Sequence, residues 1–195
     1  MLSHTLYFAR HGETDWNVAQ RYQGQTDIPL NANGREQAAR NGQVLVERLG
    51  PSARPLAYVA SPLGRTTETM RIIRRELGLS PDEFATDDRL LEQHFGHWEG
   101  QLWSELPKID PVGFAARKAD PWNWVPDGGE SYIMVTARVR DWLDGITCDT
   151  VVVSHGNVSR TLRGIVLGLA RKDIPRLEVP QDRVLVVSAN AAEWI

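Results

Sequence analysis

The chain has 195 residues, 42% hydrophobic and 24% charged, with 22 Lys+Arg against 25 Asp+Glu and a net charge of −3. A domain of this size buries roughly 70% of the surface its unfolded chain exposes, so it needs no disulfide or metal staple. The near-average composition excludes collagen-like, disordered and mini-protein classes. The slight acidity argues against a nucleic-acid or anionic-membrane binder, and no apolar run approaches the roughly 20 residues of a membrane span. The start, Met1-Leu2-Ser3-His4-Thr5, has no basic head before a long apolar stretch. The lone Cys148 suits a reducing compartment, so a cytoplasmic protein is expected.

In chain order, Thr5 to Ala9 reads as a strand apolar enough for burial on both faces, as in a parallel sheet. Asn31 is placed to cap a helix running through Gly34 to about Gly50, with Ala38, Leu45 and Leu49 on one face. Ala57 to Ser61 reads as a second strand, and Ser61-Pro62 as cap and first turn of a helix ending near Gly78. From Glu92 to Gly129 the chain crowds Trp98, Trp103, Trp122 and Trp124 with Phe95 and Phe114, interrupted by Pro107, Pro111, Pro121 and Pro126. This reads as an irregular, cap-like insert at about 93–129 over the strand ends of a single domain spanning 1–195. Its rings either wall a pocket for an apolar or ring-bearing group or, the reading preferred here, pack the insert onto the sheet.

Ser131 is placed to cap a helix striped by Val135, Val139, Trp142 and Leu143. Thr150 to Ser154 and Val184 to Ser188 are Val-rich strands, and Gly156 to Gly168 between them carries a helical period in Val158, Leu162, Ile165 and Val166, continued by Leu169. The alternation predicts a three-layer α/β/α sandwich around a mostly parallel sheet. In such folds ligands bind beyond the carboxyl ends of the strands.

Two strand ends look alike: Tyr-Phe-Ala leads into Arg10-His11-Gly12, and Val-Val-Val-Ser into His155-Gly156. A third delivers Arg65 just inside a helix N-terminus, where free N–H groups and the helix dipole favour an anion. One such histidine is usually a hydrogen-bonded turn residue, and one such arginine a surface ion-pair residue. Arg10, His11, Arg65 and His155 gathered at one sheet edge make a cationic pocket on an acidic protein, suited to a phosphate dianion.

The run Arg10-His11-Gly12-Glu13-Thr14, followed by Trp16-Asn17, resembles the signature of the histidine phosphatase superfamily, the phosphoglycerate-mutase-like proteins. The resemblance continues in family order through Gly24-Gln25-Thr26-Asp27-Ile28-Pro29-Leu30-Asn31, Gly34-Arg35-Glu36-Gln37-Ala38, Ser61-Pro62-Leu63-Gly64-Arg65-Thr66, the stretch Leu91 to Gly100, Gly128-Gly129-Glu130-Ser131 and Val153-Ser154-His155-Gly156. It implies a phosphoglycerate-mutase-like fold and a metal-independent phosphomonoester hydrolase that works through a phosphohistidine on a small phosphorylated metabolite. His11 is then the nucleophile, neutral on its attacking nitrogen. Glu92 is the general acid, and Arg10, Asn17, Arg65 and His155 hold the phosphoryl oxygens. Gln23, Gly24, Thr26 and Gly156 line the substrate pocket, with no cofactor and no metal. Glu13, beside His11, is expected to make a structural hydrogen bond instead.

Rival readings remain at this stage. His94 and His97, three apart, could join His11 and His155 on a metal, but structural zinc usually recruits thiolates and the arginines repel a cation. Glu92 alone would read as a solvated acid. A phosphoglycerate mutase is the alternative activity. Mutases of this family typically show Glu-Arg-His-Tyr-Gly where this chain has Glu92-Gln93-His94-Phe95-Gly96, and little chain follows the last predicted strand to form a lid. A non-catalytic phospho-ligand or protein-binding module needs neither nucleophile nor acid. Departures from the family pattern stand at Thr66, Thr67, Glu68 and Met70, at Asn157 where glycine is frequent, and at Gln181 where asparagine is. Expected partners are a small phosphomonoester, no nucleic acid and no membrane, with a homodimer left open.

Overall fold

A computed structural model of the chain describes residues 3–50 and 56–195; the first two residues of the N-terminal start lie outside them. Strand β1 (Leu6–Arg10) leads into a short helix α1 (Asp15–Val18) and a long one, α2 (Ala32–Leu49). Asn31 caps α2 by accepting from the Gly34 amide at 2.8 Å. Strand β2 (Ala57–Ala60), helix α3 (Gly64–Glu76) and the two-residue strand β3 (Ala85–Thr86) follow. Two short helices, α4 (Leu106–Ile109) and α5 (Pro111–Ala119), precede α6 (Tyr132–Asp144). Then come β4 (Thr150–Ser154), α7 (Gly156–Leu167), β5 (Val184–Ser188) and β6 (Ala191–Trp194).

The sheet order is β3-β2-β4-β1-β5-β6. The first four strands run parallel, while β5 lies antiparallel to β1 and to β6. The expected α/β sandwich is thus present, with its parallel part confined to four strands and closed at one edge by a hairpin. Alternation along the central strands sorts the core onto two faces. Leu6, Phe8 and Val152 meet Val135, Val139 and Trp142 of α6 and Val158 and Leu162 of α7. Ala9, Val151 and Val153 meet Leu45 of α2 and Met70 and Ile73 of α3. Each fully buried large side chain contributes on the order of 1.5–3 kcal/mol of transfer free energy. All five residues of β4 are buried, which leaves its carboxyl end as the natural floor of a site.

Helix α3 begins later than the sequence predicts. Ser61 stays in the strand's extension, its amide paired with the Val153 carbonyl at 3.0 Å, and Leu63 is the N-cap. The start is anchored instead by the Thr66 hydroxyl, which donates to the carbonyls of Ser61 and Leu63. The tryptophans mostly pack. Trp98 is fully buried with Tyr22, Phe95 and Leu106, its indole N–H donating to Asp110 at 2.9 Å, and Trp122 stacks on Tyr132. Among the described residues no helix is long and apolar enough to cross a membrane.

Candidate active site

Above the ends of β1 and β4 lies a cavity of about 680 Å³. Of the residues singled out from sequence, Arg10, His11, Asn17, Gln23, Gly24, Arg65, Glu92 and Gly156 line it. His155 and Thr26 are not among its lining residues. The His155 ring is wholly inaccessible, beneath Arg65, with one nitrogen 2.8 Å from the Ser61 hydroxyl and the other 3.4 Å from Arg65 Nη2. The Thr26 hydroxyl donates to Glu99 at 2.6 Å and its carbonyl accepts from Arg65 at 2.7 Å. Both act on the wall from behind it.

His11 leaves β1 with its amide still paired to the Ser154 carbonyl at 3.0 Å. Its Nδ1 lies 2.8 Å from the Gly12 carbonyl, an acceptor only, so Nδ1 carries the proton and Nε2 keeps its lone pair. Burial, then the Arg65 and Arg10 charges, push the ring well below its ordinary range, so it is neutral at physiological pH. Gly12 is obligatory for space: a Cβ there would overlap the Gly34 carbonyl oxygen. That close passage seats the β1 exit against the start of α2. Glu13 accepts from Asn31 and Asn33 at 2.9 and 3.1 Å, a structural role, as its sequence position suggested.

The two flanking guanidiniums are fixed by carbonyls. Arg65 donates to Thr26 and Gly24, and Arg10 to Val179 at 3.0 Å. The Nε of each is buried and has no partner among the described residues. Burial lowers both, Arg10 to about 10, which leaves them cationic. Gly24, at φ +54°, sits where a Cβ would strike Glu99. Glu99 in turn accepts from the Gln25, Thr26 and Phe95 amides and so ties this turn to the aromatic segment. Asn17 Oδ1 accepts from Thr14 and from Gln181, an arrangement that fixes the amide with its N–H₂ as the remaining donor. Gln181, a departure from the family pattern, also donates to the His11 carbonyl at 2.9 Å.

Glu92 is held from both ends. Its carbonyl accepts from Gln25 and Arg138, each at 3.1 Å. Its carboxylate accepts from the Gln93 amide at 2.9 Å and from the Asn157 amide in the first turn of α7, at 3.2 Å. His94 accepts from the Gly96 amide and His97 pairs with Asp110, so neither approaches His11. Among the described residues no three His, Cys, Asp or Glu side chains gather as metal ligands would.

Sequence reasoning passed over Arg21, Tyr22, Arg117, Tyr132, Arg160 and Pro175, which also line the cavity, as does Trp103 of the aromatic insert. Of these Arg160 had a usable signal, one helical turn beyond Gly156. The cavity is therefore strongly positive inside a chain of net charge −3: five arginines and a single carboxylate. Two buried Nε–H donors with no protein acceptor, beside a neutral imidazole, make a place for a tetrahedral oxyanion.

The chain belongs to the histidine phosphatase superfamily, branch 1, whose model it matches over residues 6–195. It is similar to the glucosyl-3-phosphoglycerate phosphatase of Mycobacterium tuberculosis, with 33% identity over 190 residues covering 91% of this chain and 81% of the relative. It is also similar to phosphoglycerate mutase-like protein 4 of Arabidopsis thaliana, with 36% identity covering 86% and 73%. The solved structure of a mycobacterial glucosyl-3-phosphoglycerate phosphatase in complex with VO3 superposes at a TM-score of 0.80, with 30% identity covering 99% and 96%. The fold is accordingly the α/β architecture of phosphoglycerate-mutase-like proteins.

Proposed function

We propose that the chain is a metal-independent phosphomonoester hydrolase acting on a small phosphorylated metabolite through a phosphohistidine at His11. The observation that carries this reading is the state of His11: neutral, its Nδ1 proton fixed on the Gly12 carbonyl, its Nε2 unengaged, between two guanidiniums with unpaired Nε–H groups. The phosphatase relative named above supports the reaction class.

In the first half-reaction the Nε2 lone pair attacks phosphorus in line, the bond to the ester oxygen breaks, and Glu92 gives its proton to the departing alkoxide. Arg10, Arg65 and the Asn17 amide hold the equatorial oxygens, where charge stabilisation does most of the catalytic work. His155 serves from behind by fixing Arg65. In the second half-reaction a water loses its proton to Glu92 and attacks phosphorus. The N–P bond breaks, inorganic phosphate leaves and His11 returns to its starting tautomer. The segment 93–129 contributes Phe95, Trp103 and Arg117 to the outer wall and is assigned the part of a cap.

The test is phosphate release in EDTA from a panel of phosphomonoesters, with a rapid quench for acid-labile phosphoenzyme. Wild type should turn over and form the intermediate, while His11→Ala should lose at least about 10⁴-fold in rate and all phosphoenzyme. Equal activity in the two proteins would remove His11 as nucleophile. Silence from both, with interconversion of 3-phosphoglycerate and 2-phosphoglycerate, would make the chain a mutase.

A further inference from the structure

We propose that Gln181 is a positioning residue for phosphoryl transfer: its side-chain amide holds the His11 main chain and the Asn17 side chain in register with the reacting phosphorus. The inference rests on the hydrolase reading above for the parts played by His11 and Asn17.

Gln181 stands in the segment that leads into β5, and that segment is gripped along its length. The carbonyls of Leu177, Glu178 and Val179 accept in turn from Arg160 at 2.8 Å, Arg163 at 2.6 Å and Arg10 at 3.0 Å. The Gln181 carbonyl accepts from Asn41 of α2, a wholly buried side chain, at 3.0 Å. Four of the five carbonyls from 177 to 181 are thus tied down by side chains from β1, α2 and α7. From a backbone already fixed in this way, a positioning bond has only the side chain itself left to order.

Gln181 does not line the cavity, so it acts through the residues that do. Its Nε2 donates to the His11 carbonyl at 2.9 Å and to Asn17 Oδ1 at 3.2 Å, one hydrogen for each acceptor. The first bond closes a clamp. The peptide unit between His11 and Gly12 is held at its oxygen by Gln181 and at its nitrogen by the Thr69 hydroxyl, 3.1 Å away. Thr69 in turn donates to the Arg65 carbonyl at 2.8 Å, which ties the clamp to the helix that carries the phosphate-binding arginine. The next carbonyl, that of Gly12, is the one that fixes His11 Nδ1. Rotation of the clamped peptide would therefore turn the imidazole and swing Nε2 off the line of attack. The second bond joins those from the Thr14 amide and hydroxyl on Asn17 Oδ1. That oxygen is then fully used, and the N–H₂ is the end left to face phosphate. Both tasks need a donor at position 181.

The experiment combines steady-state kinetics on the best ester of the panel with equilibrium binding of vanadate and of inorganic phosphate. Vanadate takes the five-coordinate geometry of the transition state and needs an aligned Nε2. Phosphate needs chiefly the two guanidiniums, which other carbonyls fix. Gln181→Ala should lower kcat about 10- to 100-fold and vanadate affinity by a like factor, with KM and phosphate affinity within about threefold of wild type. Gln181→Asn, one methylene shorter, should fall between the two. Gln181→Glu, almost the same size, should lose at least as much as Gln181→Ala, because a carboxylate would face two acceptor oxygens; a residue that only filled space would tolerate it. Unchanged kcat and vanadate affinity in Gln181→Ala, a loss confined to KM, or wild-type kcat in Gln181→Glu overturns the assignment. If wild type hydrolyses no ester, yet its preference for vanadate over phosphate falls in Gln181→Ala, the hydrolase reading fails and the positioning role stands. A preference equal in the two proteins removes the positioning role itself.

Discussion

The ends of β1 and β4 read almost identically, a buried strand followed by histidine and glycine, yet they are built for different work. At the β1 end, His11 spends one nitrogen on a backbone carbonyl and offers the other to the cavity. At the β4 end, His155 has both nitrogens against protein groups and no exposed surface. The two rings are neighbours, with centroids 5.2 Å apart, so the environment around them is shared. What differs is the number of unoccupied ring nitrogens. A histidine becomes a candidate nucleophile when its fold satisfies one nitrogen and withholds a partner from the other.

The sharpest way to break this comparison is substitution of each ring. His11→Ala should abolish turnover by at least about 10⁴-fold, whereas His155→Ala, which removes a support of Arg65 and no reacting atom, should cost about 10²-fold. Steady-state rates and quench-flow phosphoenzyme levels check both. If His155→Ala also eliminates phosphoenzyme, the division of labour drawn here is wrong.

The glycines that follow the histidines sharpen it next. A Cβ at Gly12 would occupy the place of the Gly34 carbonyl oxygen, whereas at Gly156 it would make only ordinary contacts beginning at 3.4 Å. Gly12→Ala should therefore destabilise by several kcal/mol or prevent folding. Gly156→Ala, in the first turn of α7, should stay within about 1 kcal/mol of wild type, since alanine suits a helix better than glycine. It should nonetheless raise KM by narrowing the space between Glu92, Arg10 and Arg160. Urea midpoints and saturation curves separate the two effects.

In one respect the two histidines should behave alike. Burial, followed by neighbouring positive charge, pushes both rings well below the ordinary histidine value of 6.5. The unfolded chain therefore takes up protons that the native state refuses. Stability is complete above about pH 7 and falls as pH drops through 6.5, by up to about 1.4 kcal/mol per pH unit for each ring. Urea midpoints at pH 7.5, 6.5 and 5.5 should show this fall, and His11→Ala should reduce its slope by about half. A midpoint independent of pH in that window would mean that the rings take up protons in the native state as readily as in the unfolded chain.

Much of this arrangement was legible in the sequence because it is local. The Val-rich runs of β4 and β5, the Asn31 and Ser131 caps, and the stripes of α6 and α7 each follow from short-range periodicity. The strands β3 and β6 escaped because two and four residues with exposed positions carry no pattern. The β6 hairpin also depends on Asn190 adopting φ +63°. At the site, Arg10, His11, Arg65 and Glu92 each stand in a contiguous motif. Arg117 and Tyr132 reach the wall from helices whose orientation is set only by tertiary packing. The burial of His155 was equally illegible, since nothing beside it in sequence announces Ser61, 94 residues away in the chain, as its partner.

That partnership gives the smallest and most selective test. With Arg65 donating toward Nδ1, His155 must carry its proton on Nε2 and donate it to the Ser61 hydroxyl, and both residues are fully buried. Ser61→Ala removes the acceptor and no apolar contact of consequence, leaving an N–H with no protein or solvent partner. The loss should be about 1–3 kcal/mol of stability, the cost of an unsatisfied buried donor, with less than about a tenfold change in turnover because the cavity wall is untouched. The reverse pattern, full stability with turnover greatly reduced, would show that the His155 ring contacts the reacting phosphoryl group and that the two strand ends are equals after all.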